Sequence, residues 1–275
     1  MVYFGFRLLK LESTQDNYVH MYNSQKKWFN INGLKKLLND VQGDEVMRDK
    51  IYQFKYAGVT FKFNYIKKDH ISMSWRAGEF YEQKLLEKIK SLGLNGVYVD
   101  VGGHHGNHSI YFDKFCNSEK VVCIEGNPFN FEYLKKNTIL NDCKNVLYND
   151  IVSDKQGDVL TMEYNLKNTG SSMVVTDQDK SNSGRGIKSV TNTTNTLDNI
   201  LGNEDNISLI KIDIENYEYN ALLGAQSIID KHHPVIVIEL HSYNRYYDEI
   251  QSFLDKNNYT TDNVSYAFSP TFIYM

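Results

Sequence analysis

The 275-residue sequence lacks several things, and each lack excludes a class of protein. No basic start leads into an apolar run and a small-residue cleavage site, and no apolar stretch reaches the roughly 20 residues of a membrane-spanning helix. A soluble, cytoplasmic protein is the expectation. Cysteine is scarce: Cys116, Cys123 and Cys143 match no zinc spacing, so reduced structural thiols are expected. There is no Arg-rich arm, and the formal charge of −4 argues against a broad phosphate-binding surface, and so against nucleic acid as partner. No internal repeat is evident, and nothing in the sequence speaks to oligomeric state.

What is present supports a real core. Hydrophobic residues make up 41%, and 20 Tyr with 14 Phe supply large side chains to fill it, which excludes global disorder. The length suits one sizeable domain over 76–275 and an N-terminal extension over 1–75. The extension is rich in Lys, Asn and Tyr, with one helical stretch at 31–39. Alternating residues at 51–56 and 60–65 predict a β-hairpin.

From residue 79 onward helix and strand patterns alternate. Helices are predicted over 79–91, from Pro128 to about residue 140, and over 217–229. In the second of these Asn127 is the N-cap and Pro128 the first helical residue. Apolar strands are expected at 97–101, 121–125, 144–151, 207–214 and 234–240. Strands apolar along their whole length, separated by helices, indicate a doubly wound, mainly parallel α/β sheet covered on both faces, of Rossmann-like type. Antiparallel pieces are expected at 159–164 and 172–176, then a flexible surface loop at 177–188. A closing antiparallel C-terminal hairpin, 259–268 with 271–274, turns at Ser269-Pro270.

The chemistry-bearing signal begins at the first of these strands. Val97-Tyr-Val-Asp100-Val-Gly102-Gly103-His104-His105-Gly106-Asn107-His108-Ser109 takes an apolar strand through glycines into a helix, a tight turn that brings backbone against a ligand. The dinucleotide pattern G-x-G-x-x-G is not met, because position 101 is Val; Asp-x-Gly-x-x-x-Gly fits instead. A pyrophosphate wants a helix N-terminus free of nearby anions, whereas a carboxylate at Asp100 favours a cationic ligand. Glu125 ends the next strand, near the spacing at which such folds place an acid on ribose hydroxyls. Asp150, ending the third, is the adenine-side candidate. Lys211, Asp213 and Glu215 alternate on one face of a later strand, and Glu239 is followed on its own face by His241.

Asp100-Val-Gly102-Gly103-His104-His105-Gly106-Asn107, Glu125-Gly-Asn127-Pro128-Phe129-Asn130 and Lys211-Ile-Asp213-Ile-Glu215-Asn216-Tyr217-Glu218 together resemble the FkbM-type methyltransferase family over about residues 79–240. The resemblance implies S-adenosyl-L-methionine as donor and O-methylation of a hydroxyl, often on a sugar or glycosylated product. With the positional candidates Ser109 and Asp150 added, the expected donor site is Asp100, Gly102, Gly103, His104, Gly106, Asn107, Ser109, Glu125 and Asp150. Members usually carry Ala-Asn where this chain has Gly103-His104, and Gly where it has Asn216, a residue that tolerates left-handed backbone.

The activated methyl group of such a donor leaves the protein to align an acceptor hydroxyl and take its proton. Alignment alone can contribute up to roughly 7–11 kcal/mol. His241 or Asp213 would be the base, His241 favoured because an unperturbed imidazole titrates near ~6.5. Glu239 and Lys211 complete the expected catalytic set. A divalent ion on Asp213 and Glu239 is an alternative activator, although no metal site is assigned, and His104, His105 and His108 share a turn too tight to converge on one ion. An RNA ribose 2'-O-methyltransferase and a non-catalytic interaction module are the rival readings, with a nicotinamide enzyme last.

Overall fold

The computed structural model describes residues 18–21, 27–30, 50–65, 69–165, 168–175 and 186–275. The helix expected at 31–39 lies outside them. The chain divides into two compact units, Met1–Tyr81 and Glu82–Met275.

In the first unit β1 (Tyr18–Met21) pairs antiparallel with β2 (Lys27–Asn30). The expected hairpin forms from β3 (Lys50–Tyr56) and β4 (Val59–Tyr65). It turns at Ala57 and Gly58, both at positive φ as a tight hairpin requires. α1 (His70–Arg76), which sequence patterning did not anticipate, is capped by Asp69, whose carboxylate accepts the Ser72 N–H at 3.1 Å. An aromatic cluster fills this unit: Phe63 stacks on Trp75 at 4.0 Å, and Phe80 meets Phe54 and Phe61 edge-on.

The second unit opens with α2 (Gln83–Ser91), shorter at its start than the predicted 79–91. A six-stranded sheet follows in the order β14-β13-β12-β5-β6-β7. Its members are β5 (Gly96–Val101), β6 (Ser118–Ile124), β7 (Val146–Tyr148), β12 (Ile207–Ile212), β13 (Val235–Glu239) and β14 (Thr271–Tyr274). The pairs from β7 through β13 are parallel and β14 is antiparallel to β13. Every residue of β5 is buried, as a central strand covered on both faces requires. On one face Val97, Val99, Ile210, Ile212, Ile236 and Ile238 pack with buried residues of α6 (Glu218–Leu223), α7 (Gln226–His232) and α8 (Tyr247–Lys256). α3 (Asn107–Phe115) and α4 (Pro128–Leu140) complete the crossovers. Asn127 caps α4, its side chain accepting the Phe129 N–H at 2.9 Å.

Four sequence expectations are corrected in detail. The strand at 144–151 is two pieces: β7 stops at Tyr148, and β8 (Ile151–Val152) joins a different sheet. The break falls on Asn149 and Asp150, whose side chains bond the Glu125 carbonyl at 2.7 Å and the Asn195 amide at 3.1 Å, competing with the ladder. The helix at 217–229 is split into α6 and α7, because the Asp198 carboxylate of α5 (Leu197–Leu201) accepts the Ser227 and Ile228 N–H groups and starts a new helix there. The C-terminal hairpin is irregular: β14 pairs in the sheet with β13, while residues 259–268 form no regular strand and meet the chain end antiparallel through the Thr261–Tyr274 bridge, the paired backbone bonds of Thr260 and Met275 at 2.9 Å, and the Tyr266 N–H donated to the Thr271 carbonyl at 3.3 Å. Of the expected loop at 177–188, the described end is strand. β9 (Val159–Asn165), β10 (Asn168–Val175) and β11 (Ile187–Asn195) form, with β8, a second sheet of order β10-β9-β11-β8.

Candidate functional site

The order of strands reverses between β5 and β12, and the carboxyl ends of these two strands frame the crevice where ligands of doubly wound sheets bind. Beyond β5, the N–H groups of Gly102 and Gly103 both donate to the Ile124 carbonyl, at 2.9 and 3.0 Å. Gly102 sits at φ 82°, and a Cβ on it would run into the Asp213 carbonyl. On Gly103 a Cβ would run into the Cys123 sulfur. Here the glycines are required by the protein's own close packing.

His104 follows at φ 48°, and its N–H donates to Glu125 Oε2 at 2.7 Å, while Glu125 Oε1 accepts the Asn127 N–H at 2.8 Å. The carboxylate thus ties the glycine turn to the start of α4. Burial pushes Glu125 up to about 7, against the pull of these two N–H groups. The His104 ring stacks on His105 at 3.7 Å and shares a 2.8 Å hydrogen bond with the Thr169 hydroxyl of β10. Burial pushes this imidazole down to about 3, so it stays neutral. Asn130 donates to the Thr169 carbonyl at 3.1 Å and Asn127 to the Ser172 hydroxyl at 3.0 Å. β10 therefore lies across the glycine turn and the head of α4.

A row of charge crosses the strand ends. Lys211 Nζ, 2% exposed, lies 3.2 Å from Asp100 and 3.4 Å from Asp213, and donates to the Gly102 carbonyl at 3.2 Å. Burial alone would lower the Lys211 pKa, but Asp100 and Asp213 outweigh it and raise it. This ammonium keeps its proton and cannot act as a base. Asp213, 31% exposed at its side chain, is pushed up by burial, but Lys211 and a hydrogen bond with Glu239 hold it below the usual carboxylate range. Burial and then the Asp213 charge push Glu239 up to about 10. The two acids share a hydrogen bond, and the pair is harder to ionise fully than either carboxyl alone. His241 Nε2 is 3.3 Å from Glu239 Oε1, its ring stacked on Tyr243 at 4.6 Å. Burial lowers its pKa, with Asp213 opposing.

Of the nine expected donor residues, Glu125, Gly103 and His104 converge at the turn. Gly102 and Asp100 face Asp213 and Lys211, while Ser109 is buried with its hydroxyl 3.4 Å from Cys123. Gly106 starts α3 and Asn107 is buried at its first position. Asp150 is drawn toward β11 by Asn195. Sequence patterning missed Asn130, Thr169 and Ser172; Asn130 lay within a quoted motif, whereas a hydroxyl in a polar hairpin carries no signal of its own.

Beside the crevice lies a cavity of about 120 Å³ lined by Glu215, Tyr217, Asn220, Arg245 and Tyr246, with Met173 of β10 on its wall. Glu215 and Asn216 both hold positive φ, 52° and 69°. Glu218 braces them: its Oε1 accepts the Ile214 and Asn216 N–H groups at 3.3 and 3.1 Å, and its Oε2 accepts from the Asn244 side chain at 2.8 Å. Asn244 in turn accepts the Tyr246 N–H at 2.9 Å. The loops after β12 and β13 are thereby fastened together.

A doubly wound sheet with acids at adjoining strand ends around one crevice is an architecture that Rossmann-like methyltransferases share with other nucleotide binders. The family model described as the methyltransferase FkbM domain matches residues 100–261, more than half of the chain, and the protein belongs to that family. No curated protein matches the sequence. Among solved structures it is similar to methyltransferase FkbM from Methylobacillus flagellatus KT, with 18% identity and a TM-score of 0.45 over 66% of this chain and 43% of that one. The chain thus spans less than half the length of that relative. It is also similar to a precorrin-6y C5,15-methyltransferase from Geobacter metallireducens GS-15, with 14% identity and a TM-score of 0.41 over 66% and 72% of the two chains. A third similarity is to TYW2 of M. jannaschii in complex with AdoMet, with 13% identity and a TM-score of 0.38 over 84% and 86%.

Proposed function

We propose that the protein is an S-adenosyl-L-methionine-dependent O-methyltransferase acting on a hydroxyl of a sugar or glycan. The observation that carries this reading is the row of buried charge at the crevice, with Lys211 between Asp100 and Asp213 and Glu239 beside His241 at 3.3 Å. That row offers carboxylate oxygens to an acceptor O–H.

The residues present suit the donor. A carboxylate has about four acceptor sites; Glu125 gives one on each oxygen to a backbone N–H and also accepts from the Asn130 side chain, which leaves room for a ribose hydroxyl. Asn130 Oδ1 is buried without a hydrogen-bond partner, a further acceptor near that carboxylate. When bound, the donor supplies a methyl group already activated by its sulfonium. Glu125 and Asn130 hold the nucleoside, and the ionised Asp213 favours the cationic end. Asp213 then receives the acceptor proton, with His241 as the alternative base through Glu239. Lys211 positions Asp213 and does not take the proton.

Calorimetric titration with S-adenosylmethionine and S-adenosylhomocysteine tests this directly. Binding weakened about tenfold or more by Glu125→Ala, a loss of roughly 1.4 kcal/mol or more, is expected. No binding by folded protein would leave the interaction module as the better reading. Turnover unchanged after exhaustive chelation is expected, and loss of turnover would move the activating role to an ion on Asp213 and Glu239.

A further inference from the structure

Resting on the methyltransferase reading, we infer that Asn192 of β11 is a positioning residue for donor binding, which fixes the ribose acid Glu125 through the main chain on both of its sides. It acts from the insertion and through Glu125, not by contact with the donor.

The pattern of β11 singles the residue out. Val190, Asn192 and Thr194 alternate on its more buried face, and Val190 packs with Leu160 of β9 against the apolar cluster of Ile151, Met162 and Val174. Asn192 stands directly opposite Leu160, so an amide occupies a place where the alternation calls for an apolar side chain. A half-buried polar group on such a face costs free energy unless its hydrogen bonds are made. Asn192 makes them: Nδ2 donates to the Gly126 carbonyl at 2.9 Å and to the Asn149 carbonyl at 3.0 Å, and Oδ1 accepts the Thr193 N–H at 2.9 Å. The two amide hydrogens thus go to two different loops.

Those loops flank Glu125. Gly126 follows it directly, and Asn149, just beyond β7, donates from Nδ2 to the Glu125 carbonyl at 2.7 Å. The Glu125 N–H in turn donates to the Tyr148 carbonyl at 3.0 Å. One side chain therefore holds both the residue after the acid and the residue that grips the acid's own carbonyl. The loop after β6 is also seated on the insertion, since a Cβ on Gly126 would come within 3.2 Å of the Met162 sulfur and 3.3 Å of an Ile151 side-chain carbon. With its main chain pinned on both sides, Glu125 presents its carboxylate in a set orientation, and a group ordered in advance loses less freedom when a ligand binds.

A double-mutant cycle on the full chain, read as S-adenosylhomocysteine affinity by calorimetry, tests this with Asn192→Ala, Glu125→Ala and the pair combined. Asn192→Ala should weaken binding about tenfold, in keeping with the loss of two hydrogen bonds that hold the acid. In the Glu125→Ala background the same substitution should add little, because the group through which it acts is gone. Asn192→Ser, which keeps one donor, should fall between the unsubstituted protein and Asn192→Ala, and it serves the same cycle if the alanine variant does not fold. A residue that merely stabilised the insertion would not show this dependence on Glu125. Additive losses in the combined variant, or unchanged affinity in Asn192→Ala, overturn the inference and leave the methyltransferase reading standing. Folded, unsubstituted protein that binds no S-adenosylhomocysteine overturns both.

Discussion

Gly103 and Cys123 are complementary in a way that neither residue shows alone. The family's usual alanine at position 103 would put its methyl group into the Cys123 sulfur, so this chain's glycine answers its own cysteine on the neighbouring strand. Overpacking of this kind costs about 1–3 kcal/mol, and Gly103→Ala should lower the unfolding free energy by that order. In Gly103→Ala/Cys123→Ala most of it should return, because the space is vacated. Denaturant titration of the unsubstituted protein and the two variants reads this, and equal stability of the single and double variants would refute the coupling. A second residue-scale expectation concerns Lys211. Replacing it by Met leaves Asp100 buried without its partner, for which losses of about 3–5 kcal/mol are usual. The same measurement should show it.

At the scale of elements, β10 is tied to the glycine turn and the head of α4 by hydroxyls: Thr169 to His104, Ser172 to Asn127. Thr169→Val/Ser172→Ala should speed amide exchange across 159–175 while sparing β5 and β6, and unchanged exchange would show that other contacts hold the hairpin. Within this insertion the sequence marked the antiparallel β9 and β10, expected at 159–164 and 172–176, but not β11. The parallel strands, the cap at Asn127 and the turn after Asp100 were readable because each rests on local rules: unbroken apolar runs, a side-chain cap, a glycine pattern. β11 was not, because Ser189-Val-Thr-Asn-Thr-Thr-Asn195 is polar on both sides and half exposed, so no apolar alternation marks it as strand. The split of α6 from α7 was hidden for a different reason: Asp198, about 30 residues away, supplies the cap. Likewise, the spacing of Asp213 and Glu239 placed both at the crevice, but only the folded chain shows that they share a hydrogen bond.

For the whole second unit, the buried acids set the pH dependence. Glu239 is held protonated up to about 10 in the folded chain and ionises near 4.5 when unfolded, so the folded state binds the extra proton between those values. Stability from this group is therefore present at low pH and falls as pH rises through that window, by at most about 1.4 kcal/mol per pH unit. Above pH 7 Glu125, Glu215 and Glu218, each raised to about 7, contribute little further slope. Melting temperature should decline from pH 7 to 9, and Glu239→Gln should flatten the decline. A profile equally steep in that variant would assign the slope elsewhere.

The insertion that crosses the donor turn leaves the parallel sheet after β7 and comes back before β12, and its two ends are neighbours: Ile151 pairs with Thr194 and Val152 with Asn195. A segment whose entry and exit touch can be lengthened, shortened or exchanged without altering the path of the chain on either side. The sheet is in this sense a frame that the insertion joins at one place, so an exchange of residues 153–193 should leave the paths of β7 and β12 unchanged.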